Sequence, residues 1–280
     1  MKRIAIALTV LFATTSAQAQ WGDIIRKIDP NKVKKGAKVV SAATRDFTED
    51  EEADIGRVVS ARILKTYDLT EDEGLQQYVT LVGRTVAAYS ARPTLEWHFA
   101  VIDTDIVNAF SAPGGFIFIT TGALGQISSE AELAAVLGHE IAHATQKHIL
   151  KEIRRGNTIT AGLDLASDTQ KGSFLNDDLG AQISNMAYEK LFTTGLSRRD
   201  EQEADKIGLE MAIAAGYRGN EFLTFLGKLQ KMESSSQMKV LTATHPKPAE
   251  RIKYVTPLLK SNSGVVLAER WTEWVGGTEP

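Results

Sequence analysis

The chain has 280 residues, with 32 Lys+Arg against 35 Asp+Glu, 43% hydrophobic residues and no cysteine. This length and balance suit a globular protein with a sizeable core, and exclude wholesale disorder and the basic excess of a dedicated nucleic-acid binder. The lack of cysteine excludes disulfides, thiolate metal sites and thiol nucleophiles, so any metal must be held by His, Asp and Glu.

The N-terminus, MKRIAIALTVLFATTSAQAQ, has a charged start at Lys2 and Arg3, an apolar run from Ile4 to Ala13 and small residues at Ala17-Gln18-Ala19. This is the three-part pattern of a secretory signal peptide, with cleavage expected after Ala19 and export of the remainder. The apolar run is too short for a bilayer, which needs about 20 residues. No later segment is long and apolar enough to span a membrane, so the expected mature chain is soluble. Residues 20–47 are lysine-rich and weakly patterned, and are expected to form a basic leader on the surface. Residues 48–260 are expected to form one domain, and 261–280 a closing strand and tail.

Thr48-Glu49-Asp50-Glu51 reads as a cap with an acidic first turn, opening a helix with Ile55, Val58, Val59, Ile63 and Leu64 on one side. A second helix is expected over Glu71–Tyr89, burying Leu75, Val79, Leu81, Val82 and Val86. Beyond Pro93, Trp97, Phe99 and Val101 alternate with His98, Ala100 and Ile102 as in a strand. Val107–Phe110 and Phe116–Thr121 read as two more strands, separated by Pro113-Gly114-Gly115. Ser129 with Glu132 three residues on is a capping box, and its helix can run to Gly156. The polar stretch 156–176 reads as a loop or broken helix. Further helices are expected at Asp178–Thr193, Arg198–Ala215, Gly219–Met232 and Pro248–Leu258, with a short strand at Val265–Trp271. The pattern is a mainly helical α+β fold with a small sheet.

His139-Glu140-Ile141-Ala142-His143 lies inside the helix opened by Ser129. Helical spacing puts His139 and His143 on one face, where both imidazoles can reach a single ion such as Zn²⁺. Glu140 sits one position round, poorly placed as a ligand but able to act as general base on an activated water. Such a pentapeptide arises by chance in roughly one chain in a hundred of this size, so context must carry it. Gly138 costs about 1 kcal/mol of helix stability relative to Ala, explicable if another backbone or a substrate packs against it. His148, five residues past His143, falls on the wrong side of a continuous helix and is expected to be solvated. His98, within a strand, is expected to be structural.

The third ligand is sought in Ser197-Arg198-Arg199-Asp200-Glu201-Gln202-Glu203-Ala204-Asp205. Ser197 and Asp200 form the helix start. Glu203 shares a charged stripe with Lys206 and Glu210 that reads as solvent-facing. Glu201 shares its face with Ala204, Asp205 and Gly208, small residues that suit one helix lying tightly on another. Glu201 is therefore the expected metal ligand. Asp205, one turn on, is expected to accept the second ring N–H of a ligating histidine.

In combination, HEIAH and the later Glu-Gln-Glu-Ala-Asp at 201–205 resemble the HtpX-like family of zinc metallopeptidases, which includes the CAAX prenyl endopeptidases and periplasmic BepA-type proteases. Asn108-Ala109-Phe110 with Pro113-Gly114-Gly115, and Thr244-His245-Pro246 with Arg251-Ile252, resemble two further family motifs. The resemblance spans about residues 50–258. It implies a zincin-like domain with one Zn²⁺ per chain, and a substrate edge at Asn108, Ala109 and Phe110. It also implies that His245 reaches the active site, either as an oxyanion donor or as a fourth zinc ligand that holds the resting enzyme off. The resemblance is to a compact exported member, without the membrane helices or helical repeats of other relatives. It further implies unfolded or extended envelope polypeptides as substrates, a periplasmic location and association with outer-membrane assembly machinery. A non-catalytic peptide-binding or chaperone module is the main alternative, against which the intact Glu140 speaks.

Overall fold

The computed structural model describes residues 17–26, 47–155, 185–259 and 263–275. The bulk of the expected signal peptide and leader, and the 156–176 segment, lie outside these residues. In chain order the principal helices among the described residues are α1 (Ala17–Arg26), α2 (Glu49–Ile63), α3 (Glu73–Ala87), α4 (Glu130–Thr145), α5 (Arg198–Ala214), α6 (Asn220–Lys231), α7 (Lys239–Thr244), α8 (Pro248–Val255) and α9 (Ala268–Val275). Strands β1 (His98–Ile102), β2 (Ala109–Ala112) and β3 (Phe116–Thr120) lie between α3 and α4. The fold is the expected mainly helical α+β architecture with one small sheet beside the HEIAH helix.

The helix starts follow the local chemistry. Thr48 Oγ1 accepts the Glu51 N–H while the Glu51 carboxylate accepts the Thr48 N–H, closing the capping box. Asp72 caps α3 through the Leu75 N–H, and Ser129 caps α4 through the Glu132 N–H. The Glu132 carboxylate reaches back to Ser128 rather than to Ser129.

The central strand is β3, parallel to β1 with His98 opposite Phe116, and antiparallel to β2 with Phe110 opposite Phe118. Every residue of the three strands is buried. The alternation in the sequence sorts side chains between two apolar layers rather than between core and solvent. Phe99, Val101, Ile117 and Ile119 face the layer built with α3 and α4. Ala100, Ile102, Phe110, Phe116 and Phe118 face a second layer that includes Val59 and Ile63 of α2 and Trp21 of α1.

That second layer corrects the surface leader at its start. Trp21 is 2% exposed, and its indole N–H donates to the Phe99 carbonyl at 3.2 Å. An aromatic side chain that large is drawn under the sheet by the apolar area it buries, on the order of 150–250 Å². A cut after Ala19 would fall within α1 and leave this anchor intact.

Two element boundaries and one core position also differ from expectation. Helix α4 stops at Thr145, because Lys147 adopts a left-handed conformation (φ 56°) and a new helical stretch begins at 148. Lys147 is held there by Glu52, whose carboxylate lies 3.0 Å from its ammonium. The expected strand Val265–Trp271 is instead a single bridge from Val265 to Tyr217 followed by α9. Helical spacing lets Trp271 enter the core, where its indole N–H donates to the Ile127 carbonyl at 2.9 Å. One turn further, Trp274 stacks on Tyr78 at 5.2 Å. Leu81 of α3 is only half-buried, and Tyr78 takes its expected place in the core.

Helix α5 crosses α4 at a contact between two glycines. A Cβ at Gly138 would stand 2.7 Å from the Gly208 carbonyl oxygen, and one at Gly208 would stand 2.6 Å from both the Gly138 carbonyl carbon and the His139 nitrogen. Both contacts are with backbone, which cannot rotate away. Gly208→Ala is therefore expected to destabilise the protein by about 1–3 kcal/mol in urea unfolding. Gly227→Ala in α6, where an added methyl meets nothing within 4 Å, should instead stabilise by about 0.5–1 kcal/mol.

Candidate metal centre

The glycine contact brings the first turn of α5 beside the last turns of α4. His139 and His143 face each other with their Nε2 atoms 3.0 Å apart. Glu201 Oε1 lies 3.4 Å from His143 Nε2, and Oε2 lies 3.7 Å from His139 Nε2. All three residues are buried. His245 closes α7 in an extended conformation (φ −124°, ψ 156°) ahead of Pro246, and its Nδ1 is 2.8 Å from Glu201 Oε2. One donor atom from each of His139, His143, Glu201 and His245 falls within 4.8 Å of the others.

Each ligand histidine is engaged on its far nitrogen. His139 Nδ1 lies 2.9 Å from Asp205 Oδ1, and His143 Nδ1 lies 2.8 Å from His148 Nδ1. A proton on each Nδ1 satisfies these contacts and leaves both Nε2 atoms bare. The two bare Nε2 lone pairs then converge with Glu201 Oε1, an oxygen that has no hydrogen-bond partner. Three buried lone-pair donors without a proton between them repel unless a cation sits among them, and two imidazoles with one carboxylate suit Zn²⁺. The residues present fit the metal.

Electrostatics follow from the burial. Burial holds His139 and His143 well below the ordinary imidazole range, in the neutral form a metal requires. Burial alone would raise Glu201, but His245, through its charge and its hydrogen bond, outweighs it and brings the carboxyl down to about 2. The Glu201 carboxylate in turn raises His245 against the opposing effect of burial. Glu140 lacks a comparable partner, and burial pushes its carboxyl up to about 7. A carboxyl poised there exchanges protons near neutrality.

The sequence-predicted residues are thus brought together: His139, Glu140, His143, Glu201, Asp205 and His245 lie in one cluster. One expectation fails. His148 is fully buried against His143, not solvated. The reason is the break at Lys147, which re-aims the chain so that the spacing of a continuous helix no longer applies. His98 is structural as expected, stacked on Phe116 at 4.6 Å.

Sequence reasoning gave Arg251 no role at this site. It is buried on α8, with Nη2 2.6 Å and Nε 3.2 Å from Asp205 Oδ1. Its guanidinium also lies 3.2 Å from His139 Nδ1, but two protonated nitrogens do not bond, and Asp205 stands as acceptor for both. An arginine four residues before Val255, in line with the buried side of the helix, was the available signal.

Strand β2 begins one residue after Asn108 and pairs only with β3 among the described strands. Its side chains open onto two clefts flanking the cluster. One is lined by Phe110, Ser111, Glu140, His143, Glu201 and His245; the other includes Asn108, Ala109, His139, Glu140 and Arg251. Asn108 is 2% exposed, and both polar atoms of its amide lack partners.

Residues 73–258 match the model of peptidase family M48. The chain is 28% identical over 188 residues to the beta-barrel assembly-enhancing protease of Escherichia coli (strain K12), covering 66% of this chain and 39% of that protein. It is 33% identical over 189 residues to the mitochondrial metalloendopeptidase OMA1 of Arabidopsis thaliana, covering 68% of this chain and 37% of that protein. The human metalloendopeptidase OMA1 is 30% identical over 179 residues, or 59% of this chain and 33% of its own length. The match thus spans about two-fifths or less of each of these relatives.

The raised Glu140 carboxyl has a measurable consequence in the metal-free protein. Its folded value of about 7 exceeds the ordinary 4.5, so the unfolded chain ionises first as pH rises. Stability is full below about 4.5 and falls through the window up to about 7. Urea midpoints of the metal-free wild type should drop between pH 5 and pH 8 relative to Glu140→Gln, which lacks this ionisation. Parallel pH profiles for the two proteins would contradict the assignment.

Proposed function

The chain belongs to peptidase family M48, and on that premise we propose that it is an exported zinc metalloendopeptidase acting on extended or misfolded polypeptides. The observation that carries the reading is the convergence of two bare imidazole nitrogens and a carboxylate oxygen beside a carboxyl whose proton affinity lies near neutrality. His139, His143 and Glu201 would hold the Zn²⁺. The bound metal supplies Lewis-acid activation, lowering the pKa of water from 15.7 to about 7. Asp205 fixes His139 through Nδ1, and Arg251 holds Asp205 in turn. Glu140 takes the proton of the attacking water on a carboxylate oxygen and returns it to the departing amine nitrogen.

The substrate is laid along Asn108, Ala109 and Phe110 as an added strand. The unpaired amide of Asn108 supports this, because a buried donor and acceptor left unmatched cost about 1–3 kcal/mol and a peptide main chain offers both complements. Extended segments suit such an edge better than folded ones. Export rests on the signal-peptide pattern at residues 1–19. A role in β-barrel assembly is supported by the name of the Escherichia coli relative, a beta-barrel assembly-enhancing protease; a periplasmic location and a part in envelope quality control rest on the signal-peptide pattern and the motif resemblance. Among the described residues no helix is long and apolar enough to cross a membrane.

His245 is read as a resting-state fourth ligand, because its ring joins the other three donors within one 4.8 Å cluster. Its alternative role is to donate to the oxyanion of the tetrahedral intermediate.

Zinc content and casein cleavage, measured on wild type and Glu140→Gln, test the reading. Cleavage lost with zinc retained is the expected result; zinc without cleavage in either protein would establish a peptide-binding module instead. Glu201→Ala should lose zinc far more severely than Glu203→Ala, since an inner ligand has no substitute. For His245→Ala, a lost latch raises basal cleavage, whereas a lost oxyanion donor lowers kcat by about 10²–10³ with zinc retained. The latch reading expects the first outcome, read in a steady-state peptide assay.

A further inference from the structure

His148 lies between the metal cluster and α5, fully buried. Its Nδ1 faces His143 Nδ1 at 2.8 Å, and its Nε2 faces Glu203 Oε2 at 3.4 Å and Asp200 Oδ1 at 3.8 Å. On distance alone, His148, Asp200 and Glu203 could hold a second cation. The placement of protons decides against it. With His143 Nε2 committed to the first metal, its Nδ1 carries a proton, and the atom that faces that proton is His148 Nδ1. His148 must therefore present a lone pair there. A neutral imidazole then bears its own proton on Nε2, the position a second cation would need bare. A proton at Nε2 suits the two carboxylates opposite it.

We propose that His148 is a positioning residue for zinc: it accepts the His143 Nδ1 proton, donates its own Nε2 proton toward Glu203 with Asp200 alongside, and so holds the His143 ring with Nε2 turned to the metal. The inference rests on the reading of His143 as a zinc ligand. It makes the two ligand histidines unequal. His139 meets its carboxylate, Asp205, directly, whereas His143 reaches one through a second ring. The left-handed Lys147 is what makes this possible, since an unbroken helix would carry residue 148 about 140° round from residue 143. Glu203 is 41% exposed, so the relay ends at solvent.

Zinc dissociation constants of the full chain, measured by chelator competition, test the proposal on wild type, His148→Asn, His148→Gln and His148→Leu. The oxygen of an Asn amide can occupy the Nδ1 position and accept from His143; that of Gln reaches the Nε2 position instead. His148→Leu is expected to weaken zinc binding about 10–100-fold, and His148→Asn to recover most of that loss. Should His148→Leu fail to fold, Asn binding zinc more tightly than Gln carries the same conclusion. Imidazole ¹⁵N NMR of the zinc-loaded wild type should show His148 protonated on Nε2 and His143 on Nδ1. A His148→Leu affinity within twofold of wild type, Gln equal to or better than Asn, or an Nδ1-protonated His148 would each overturn the proposal. So would a second zinc per wild-type chain that is lost in Glu203→Gln, which would establish the cation site instead. A wild type that binds no zinc at all would defeat the metal reading itself, an outcome distinct from these.

Discussion

The contact between Gly138 and Gly208 sets the geometry on which the site depends. Helix axes in proteins usually stand 8–10 Å apart because side chains separate them. Here two backbones touch, and the carboxylate of Glu201, two turns before Gly208, reaches imidazoles that project from α4 just beyond Gly138. A methyl group at either glycine would part the helices and withdraw that carboxylate. Each glycine lowers helix stability by about 1 kcal/mol. Packing offsets this, since every residue of α4 is buried.

Burial on that scale makes an unpaired polar group costly, so the groups around the two histidines find partners within the chain. The solutions run outward in shells. Asp205 engages the far nitrogen of His139, and Arg251 engages Asp205. His143 engages His148, which faces Asp200 and Glu203. Glu140 stands apart from these pairings, and its carboxyl is the one that burial raises to about 7. The same low-dielectric surroundings that keep the ligand histidines neutral therefore prepare a proton acceptor beside them.

Much of the fold and the site is legible in the residues. The caps at Thr48, Ser129 and Ser197 mark helix starts because a side-chain oxygen satisfies a specific orphan N–H, and this chemistry is local. The face shared by Glu201, Ala204, Asp205 and Gly208 predicts a close helix approach from size alone, and the structure places that face on α4. Legibility ends where one element must be placed against a distant one. The break after Thr145 depends on Lys147 meeting Glu52 from α2, a pairing that no spacing within α4 announces. The turn from expected strand to helix at α9 depends on Trp271 finding the Ile127 carbonyl across the core. Trp21 looked like part of a surface leader because the sheet that covers it lies some eighty residues further on.

By itself, then, the sequence determined the chemical inventory: two histidines one helical turn apart, a carboxylate between them, an acidic helix start with small neighbours, and no thiol to compete. These follow from helical periodicity and side-chain chemistry, which act over a few residues. Only the tertiary structure decided that Asp205, the expected partner of a ligand histidine, falls to His139, and that His148 holds the far nitrogen of His143. It turned His148 inward, brought Arg251 from the other end of the domain onto Asp205, and set His245 against Glu201. The physical reason is range. Hydrogen bonds and lone-pair contacts are fixed within a few tenths of an ångström, and that placement between remote segments is settled by packing, which local pattern does not encode.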